Sequence, residues 1–238
     1  MKTVAIVLAA GKGKRMGGRV PKQYLMLGGK PLVYYSLAAF EESFIDEVVL
    51  ICAEGEEEYC RKEIVIKYGF SKVVKIVTGG RERYNSVYNG LMAANGCDFC
   101  FIHDGARPFV SQHVLDRCLH YVEKYSAAVA AVPAKDTIKL ENGDGFIKST
   151  PDRSLVWMIQ TPQVFEFHLI RDAYEKLIEQ EERLRSAGVK VTDDTMVAKM
   201  FADVDAKLVE SSYFNIKITT PEDLILAEAI LSSGQVDK

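Results

Sequence analysis

The chain has 238 residues, of which 48% are hydrophobic and 26% charged, and its formal net charge is -3 at pH 7. This length and composition are typical of one large α/β domain with a packed core. The slightly acidic balance argues against a general binder of nucleic acid or anionic membranes, because such proteins carry a basic excess. No apolar run approaches the roughly 18 residues of a membrane span. We therefore expect neither a nucleic acid nor a membrane as partner.

The N-terminal segment, residues 1–8, superficially resembles a signal peptide. It continues into Gly11 and a basic stretch rather than a small-residue cleavage site, so we interpret it as a buried strand. The five cysteines show no disulfide framework, and Cys97 and Cys100 fall in a segment that reads as a strand. We expect ordinary buried thiols and a cytoplasmic protein.

Apolar, β-branched runs alternate with helix-period stretches along the first half of the chain. The pattern predicts strands at residues 4–8, 47–51, 73–77, 99–102 and 127–132, with helices between them at 32–40, 56–68, 82–94 and 114–125. This order predicts a Rossmann-like α/β fold, in which helices cover both faces of a mainly parallel sheet. Ligands of such folds bind at the carboxyl ends of the strands.

The alternation breaks after Pro133. Residues 136–140 and 146–148 read as two short strands about a Gly-rich turn, which predicts a protruding β-hairpin arm over about residues 134–152. The arm is a candidate for dimerisation. A plain surface hairpin explains these residues equally well.

Three helices are predicted in the last third of the chain. A long helix is expected over about residues 168–186, and Asp193 and Asp194 stand where another begins. The final helix has a clear start, with Thr220 as N-cap and Pro221 at the first helical position. Because there is no repeat or linker, we predict one domain over residues 1–238.

A glycine-rich segment follows the first predicted strand. Gly11 and Gly13 allow backbone N–H groups to turn toward an anion without side-chain obstruction. The segment is not a Rossmann fingerprint, because Met16 replaces the third glycine, and it lacks the Lys-Ser/Thr of a P-loop. Arg15 and Lys22 add cations around the glycines. The combination predicts a triphosphate site, and a basic surface loop is the alternative.

A second candidate site follows the strand predicted at residues 99–102. Asp104 lies where that strand reaches the ligand-binding edge, so its carboxylate is well placed to hold Mg²⁺ against phosphate oxygens. Arg107 could pair with Asp104 or with another carboxylate, and a structural turn is the alternative. His103 is interpreted as an orienting or packing residue rather than a catalyst.

Together these segments resemble the 2-C-methyl-D-erythritol 4-phosphate cytidylyltransferases of the non-mevalonate isoprenoid pathway. The resemblance runs in order along nearly the whole chain. It is carried by Ala9-Ala10-Gly11-Lys12-Gly13-Lys14-Arg15-Met16, Pro21-Lys22-Gln23-Tyr24, Gly79-Gly80-Arg81-Glu82-Arg83-Tyr84-Asn85-Ser86-Val87, His103-Asp104-Gly105-Ala106-Arg107-Pro108, Asp136-Thr137, Asp152-Arg153, Thr161-Pro162-Gln163, Thr192-Asp193 and Asn215-Ile216-Lys217.

The resemblance implies a single nucleotidyltransferase domain that uses Mg²⁺ to convert CTP and methylerythritol phosphate to the CDP-alcohol and pyrophosphate. Arg15 and Lys22 would stabilise the transition state on the triphosphate, and Asp104 would sit at the metal. A second metal carboxylate stays open, since Asp193 and Asp194 are explained equally well by helix capping. CTP contacts are implied for Ala9, Ala10, Gly11, Gly13, Gly80 and Ser86.

On the acceptor side, the resemblance implies a homodimer with shared active sites. Arg153 and Thr137 would reach through the arm into the partner's site, while Lys217 and Thr161 complete the polyol phosphate site; Arg153 and Lys217 would take part in catalysis. One position departs from the family pattern, because Arg81 stands where an acidic residue is sometimes found. That puts the ribose or base contact there in doubt.

Two alternatives remain open at this point. Ribitol-phosphate cytidylyltransferases share the fold and most motifs, although they resemble His-Asp-x-Val-Arg-Pro where this chain has Ala106. A catalytically inactive nucleotide-binding regulatory protein is the alternative from another class. The presence of the cationic and acidic site residues argues against it.

Overall fold

The structure is a computed structural model, which describes residues 1–11, 13, 20–94 and 96–234. Its strands are β1 (Thr3–Leu8), β2 (Met26–Leu27), β3 (Lys30–Pro31), β4 (Glu47–Cys52), β5 (Val73–Thr78), β6 (Phe99–Asp104), β7 (Ala127–Pro133), β8 (Leu140–Glu141), β9 (Ile147–Ser149), β10 (Trp157–Glu166) and β11 (Lys207–Glu210). Its α-helices are α1 (Leu32–Glu41), α2 (Glu57–Tyr59), α3 (Arg83–Ala93), α4 (Gln112–Tyr125), α5 (Phe167–Glu179), α6 (Glu181–Ser186), α7 (Asp194–Ala202) and α8 (Pro221–Ser233). Helix α2 continues as a π-helix over Cys60–Ile66, and short 3-10 helices span Lys22–Tyr24 and Arg153–Leu155.

Seven strands form the central sheet in the order β11-β7-β10-β6-β1-β4-β5. Neighbours pair in parallel except around β10, which runs antiparallel to both β6 and β7. The predicted mainly parallel sheet is therefore confirmed, and so are its first five predicted strands. The parallel pairing of β6, β1 and β4 brings the carboxyl ends of these strands to one edge.

Helices cover both faces of this sheet, as the alternating order predicts. Along β1, Ala5 and Val7 pack in a core with α1, the π-helix Cys60–Ile66 and α4, whereas Val4 and Ile6 pack in a second core with α3, α5 and α7. Successive residues of a strand point to opposite faces, so a strand covered on both sides is apolar throughout. The five cysteines are buried and free. Within the described ranges no helix is long and apolar enough to cross a membrane.

Two strands of the central sheet and one helix break were not predicted, and neither was the separate pair of β2 and β3. Strand β10 contains Pro162 and polar residues, and its pairing with β7 shifts register between Ile159 and Gln163, so its sequence shows no regular strand pattern. Strand β11 has only four residues, of which one is buried. The helix expected over residues 168–186 is two helices, because Gln180 (φ -105, ψ 7) leaves the helical conformation between α5 and α6.

The hairpin arm, residues 134–152, forms a separate two-stranded sheet of β8 and β9. The hairpin is confirmed, but β8 is shorter than the predicted strand at residues 136–140, and β9 lies one residue beyond the predicted 146–148. Every residue from 139 to 150 is exposed. The arm therefore takes no part in the two cores of the main sheet.

Candidate active site

The turns that follow β1, β5 and β6 meet at the carboxyl edge of the sheet. Backbone hydrogen bonds continue the strand pairing into these turns: the Ala9 N–H donates to the Ile51 carbonyl (2.7 Å), and the Gly105 N–H donates to the Leu8 carbonyl (2.9 Å). This places the glycine-rich turn beside the segment that begins at Asp104. The two sites predicted from the sequence are therefore neighbours.

A cavity of about 460 Å³ opens at this edge, and we call it the sheet-edge cavity. It contains all six residues implied for CTP together with the implied metal ligand and two implied catalytic lysines. Its described lining is Leu8, Ala9, Ala10, Gly11, Gly13, Lys22, Gln23, Gly80, Arg81, Glu82, Arg83, Ser86, Asp104, Ala106 and Lys217.

Lys22 lies against the glycine-rich turn at the start of a 3-10 helix. Gly13 adopts a φ of +54°, and a Cβ at this position would lie 3.1 Å from the Cβ of Lys22. The Lys22 ammonium donates to the Ile218 carbonyl at 3.2 Å, so it extends across the cavity toward the segment that carries Lys217. The positive charge predicted beside the glycines is thus located at the cavity wall. Arg15 lies outside the described residues.

Gly80 and Ser86 form the opposite wall. A Cβ on Gly80 would come within 2.3 Å of the Asn85 Cβ, so the close approach of this turn to helix α3 requires glycine. The Ser86 hydroxyl accepts from the Gly80 N–H at 3.0 Å and donates to the Glu82 carbonyl at 3.3 Å. Ser86 therefore stabilises the turn that contains Gly80 and Glu82.

Asp104 is the carboxylate at the centre of the site. Its Oδ2 is 2.7 Å from the Lys217 ammonium and 3.9 Å from Arg107 Nε, and its Oδ1 accepts from Arg83 Nε at 3.3 Å. Burial alone would raise the pKa of Asp104, but the charges of Arg83, Lys217 and Arg107 together hold it well below its usual range. The carboxylate is therefore ionised at neutral pH and can hold a cation.

Arg83 belongs to one of the motifs that carry the family resemblance, but no local sequence pattern indicates its role in the site. It is the first residue of α3, lines the cavity, and donates through Nη1 and Nη2 to the two oxygens of buried Asp194 at 2.7 and 2.8 Å. Both carboxylate oxygens of Asp194 are therefore used in the ion pair with Arg83. Asp193 caps α7 by accepting from the Met196 N–H at 3.0 Å. Neither residue lines the cavity as a second metal carboxylate. Among the described residues, no group of three or more potential metal ligands forms.

Lys217 is positioned by a segment that is hydrogen-bonded to β10 and to the turn that follows β6. The Asn215 side chain donates to the Thr161 carbonyl at 2.9 Å, and the Asn215 carbonyl accepts from Arg107 Nη1 at 2.7 Å. The Ile218 N–H donates to the Ala106 carbonyl at 2.9 Å. These bonds hold Lys217 over the edge of the sheet, although it lies more than 100 residues from Asp104 in sequence.

Thr161 and His103 lie behind Asp104 rather than in the cavity. The Thr161 hydroxyl accepts from the Asp104 N–H at 3.1 Å, which leaves its hydrogen to donate to His103 Nδ1, also at 3.1 Å. His103 Nε2 then donates to the Arg107 carbonyl. Burial lowers the pKa of His103 to about 4, so the ring is neutral and orients its neighbours. This matches the role expected for His103, and it gives Thr161 a supporting position within its own chain.

Two residues implied for the acceptor do not reach the cavity of their own chain. Arg153 and Thr137 are both exposed, and the Arg153 guanidinium donates to the Lys135 carbonyl at 3.0 Å. Neither residue is among the described lining of the sheet-edge cavity. In their own chain, these two residues do not line the cavity with Lys217.

The described cavity wall carries four cations, which are Lys22, Arg81, Arg83 and Lys217, and two carboxylates, of which Asp104 is central and Glu82 is the other. A wall of this kind, with an open glycine turn beside it, suits a polyphosphate and a single divalent ion, since Mg²⁺ in such sites uses one or two carboxylates plus substrate phosphates. On a mainly parallel sheet with the site at the carboxyl edge, these features define an α/β nucleotidyltransferase.

Comparisons with known proteins narrow this class. Residues 3–233 match the family model described as 2-C-methyl-D-erythritol 4-phosphate cytidylyltransferase. Proteins of that name are 46% identical over 234 residues in Lachnoclostridium phytofermentans, with 98% of each chain covered, and 47% identical over 230 residues in Clostridium kluyveri, with 96% of each covered. A solved structure of 4-diphosphocytidyl-2C-methyl-D-erythritol synthase from Anaerococcus prevotii has a TM-score of 0.83 at 34% identity, covering 97% of this chain and 96% of its own. The chain belongs to the 2-C-methyl-D-erythritol 4-phosphate cytidylyltransferase family.

Proposed function

We propose that this chain transfers the cytidylyl group of CTP to 2-C-methyl-D-erythritol 4-phosphate, as the names of its relatives describe. An acceptor phosphate oxygen attacks the α-phosphorus of CTP, the bond to the β-phosphate oxygen breaks, and pyrophosphate leaves. The observation that carries the proposal is the convergence of the glycine turn, Lys22, Asp104 and Lys217 in one cavity. A cytoplasmic location stays a prediction from the sequence.

This reaction needs charge neutralisation more than acid–base catalysis. A phosphate monoester has a second pKa of roughly 6 and is already a nucleophile near pH 7. Two polyanions must nevertheless approach each other, so the protein contributes mainly positioning and positive charge. The site agrees with this requirement, because its only described histidine neighbour, His103, is buried, neutral and turned toward protein groups.

On the nucleotide side, Lys22 would hold the triphosphate and stabilise the charge that moves onto the leaving pyrophosphate. Asp104 fits Mg²⁺, since it is ionised and lies at the cavity wall. The ion would neutralise phosphate charge when bound. Arg15 is proposed as a further transition-state cation. The turn residues Ala9, Ala10, Gly11, Gly13 and Gly80 would present backbone groups to CTP, with Ser86 supporting that wall.

On the acceptor side, Lys217 would bind the phosphate of the polyol from the same chain. Arg153 and Thr137 would do so from the partner chain of a homodimer. The arm supports this arrangement, because Phe146 and Ile147 are 71% and 67% exposed on it, an apolar surface that a second copy would cover. Thr161 would act within its own chain by supporting Asp104.

One assay separates this function from both alternatives. Pyrophosphate release is measured with CTP and Mg²⁺ in the presence of methylerythritol phosphate, ribitol phosphate or no acceptor, and each reaction is repeated with EDTA. We expect release with methylerythritol phosphate that stops when the metal is chelated. The named relatives give no support to the ribitol alternative, and greater release with ribitol phosphate would establish it instead. No release with either acceptor would indicate an inactive nucleotide-binding protein.

A further inference from the structure

Asp194 is a buried acid that makes a two-point ion pair behind the sheet-edge cavity. Its side chain is fully buried at the first position of α7. Oδ1 and Oδ2 accept from Arg83 Nη1 and Nη2 at 2.7 and 2.8 Å, and the Tyr174 hydroxyl also donates to Oδ1. The Asp194 N–H is itself fixed, because it donates to Gln163 Oε1 at 2.9 Å. A planar guanidinium that is hydrogen-bonded through both Nη atoms has a defined orientation.

That orientation decides where the third nitrogen of Arg83 points. With Nη1 and Nη2 committed to Asp194, Arg83 Nε is directed at Asp104 Oδ1, to which it donates at 3.3 Å. Lys217 and Arg107 both approach the other oxygen, Oδ2. Among the described side chains, Arg83 is thus the donor that holds Oδ1. Without it, the Asp104 carboxylate is held from one side only and can rotate about its Cβ–Cγ bond.

We propose that Asp194 is a positioning residue for nucleotidyl transfer, which orients Arg83 so that Arg83 fixes the Asp104 carboxylate at the cavity wall. The inference rests on the proposed function, because it assigns Asp104 a part in the reaction. It assigns Asp194 no contact with substrate. The same ion pair also joins α7 to α3, so the test must separate positioning of Asp104 from support of the fold.

The first measurement compares two neighbouring substitutions on α7. Asp194→Asn keeps the shape but weakens the grip on Arg83, and we expect kcat to fall about 10- to 100-fold, the scale for a lost hydrogen bond to a charged group. The KM for the acceptor should change much less. Asp193→Asn is the matched control, because Asn is also a good N-cap and Asp193 makes no described contact with Arg83. Equal losses in both variants would overturn the proposal and indicate a structural effect of α7.

The second measurement is a double-mutant cycle with Asp104→Asn, using single-turnover kinetics. If Asp194 acts through Asp104, adding Asp194→Asn to Asp104→Asn should slow the reaction by no more than about 2-fold, because coupled residues are not additive. If the fold-losses of the two single variants multiply in the double variant, the two residues act independently and the proposal is overturned. If the Asp104→Asn single variant is fully active, the role that the proposed function gives to Asp104 is wrong. The rate of that single variant shows this by itself, without the double variant.

A milder variant covers the case in which Asp194→Asn does not fold. Tyr174→Phe removes one donor to Asp194 Oδ1 and retains the ring and the ion pair. We expect a loss in kcat of a few-fold to about 10-fold in the wild-type background and none in the Asp104→Asn background. A loss of the same size in both backgrounds would overturn the proposal. Thermal melting of each variant shows whether its fold is intact.

Discussion

The sheet-edge cavity and the hairpin arm are built in opposite ways. At the cavity, Asp104 is buried, and it contacts Arg83 and Lys217, which come from distant parts of the chain. In the arm every residue from 139 to 150 is exposed, and its side-chain hydrogen bonds are local, such as the one that Lys139 donates to Thr150. The arrangement of charges at the cavity is thus fixed by contacts within one chain. The arm is exposed to solvent over all of residues 139–150.

This difference indicates that a single chain can provide the nucleotide half of the proposed site but only part of the acceptor half. The nucleotide half has its glycine turn, lysine and carboxylate in place at one cavity. The acceptor half has Lys217 at the cavity, but Arg153 and Thr137 lie on or beside the arm, away from that cavity. A shared site between two copies would supply the missing half.

The largest effect is expected at the nucleotide half. Lys22→Met should fold normally and lose at least about 100-fold in kcat, the scale for removing one preorganised charge donor. The measurement is pyrophosphate release with CTP and methylerythritol phosphate. Lys67→Met is the control, because Lys67 pairs only with surface groups such as Glu63 in the described chain and should retain full turnover. Near-normal turnover of Lys22→Met would refute the triphosphate role.

The contrast itself is tested by mixing inactive subunits. Lys22→Met damages the nucleotide half and Arg153→Ala damages the half contributed by the arm, so a heterodimer regenerates one intact site. With random pairing of equal amounts, we expect recovery of about one quarter of the wild-type rate, since half of the dimers carry one good site of two. Each variant alone serves as the baseline. If verified heterodimers recover nothing, Arg153 acts in its own subunit or has no role in the reaction.

The choice of acceptor should show a smaller effect. The ribitol chain is one carbon longer and carries more hydroxyls, some of which would be left without partners in a pocket shaped for methylerythritol phosphate. Each unpaired buried polar group costs roughly 1–3 kcal/mol, so kcat/KM should favour methylerythritol phosphate by about 5- to 150-fold. Ala106, which lines the cavity, is the residue that distinguishes the two motifs. Equal or better kcat/KM for ribitol phosphate would refute the acceptor while leaving the cytidylyltransferase class intact.

The smallest effect on folding is expected at the tip of the arm. Phe146→Ser with Ile147→Thr removes apolar side chains that contact little of their own chain, so the fold of the subunit should change in stability by less than about 0.5 kcal/mol. The proposed homodimer should nevertheless dissociate, as measured by light scattering over a range of protein concentrations. Lys148→Gln in the same hairpin is the control and should remain dimeric. A variant that stays dimeric would show that the subunits associate elsewhere.

Local patterns in the sequence were sufficient for much of this molecule. The buried strands β1, β4, β6 and β7 are continuous apolar runs, and the start of α8 is marked by a capping box between Thr220 and Asp223. The glycine turn and the segment at Asp104 were recognised as site segments for the same reason. Each of these patterns spans only a few neighbouring residues. Backbone sterics, strand burial and helix capping act over that distance, so the local sequence is enough to predict them.

Contacts between distant segments were decided only by the tertiary structure. Nothing in the local sequence of β10 indicates a strand, because Pro162 and polar residues interrupt it, and its place between β6 and β7 stabilises it. The pairing of Arg83 with Asp194 joins residues 111 positions apart, and Asn215 reaches Thr161 from 54 positions away. The sequence by itself determined the fold class, the glycine turn and the candidate charges. Only the packed sheet brought those charges to one edge and oriented them, since charge pairing in a buried site depends on distance in space.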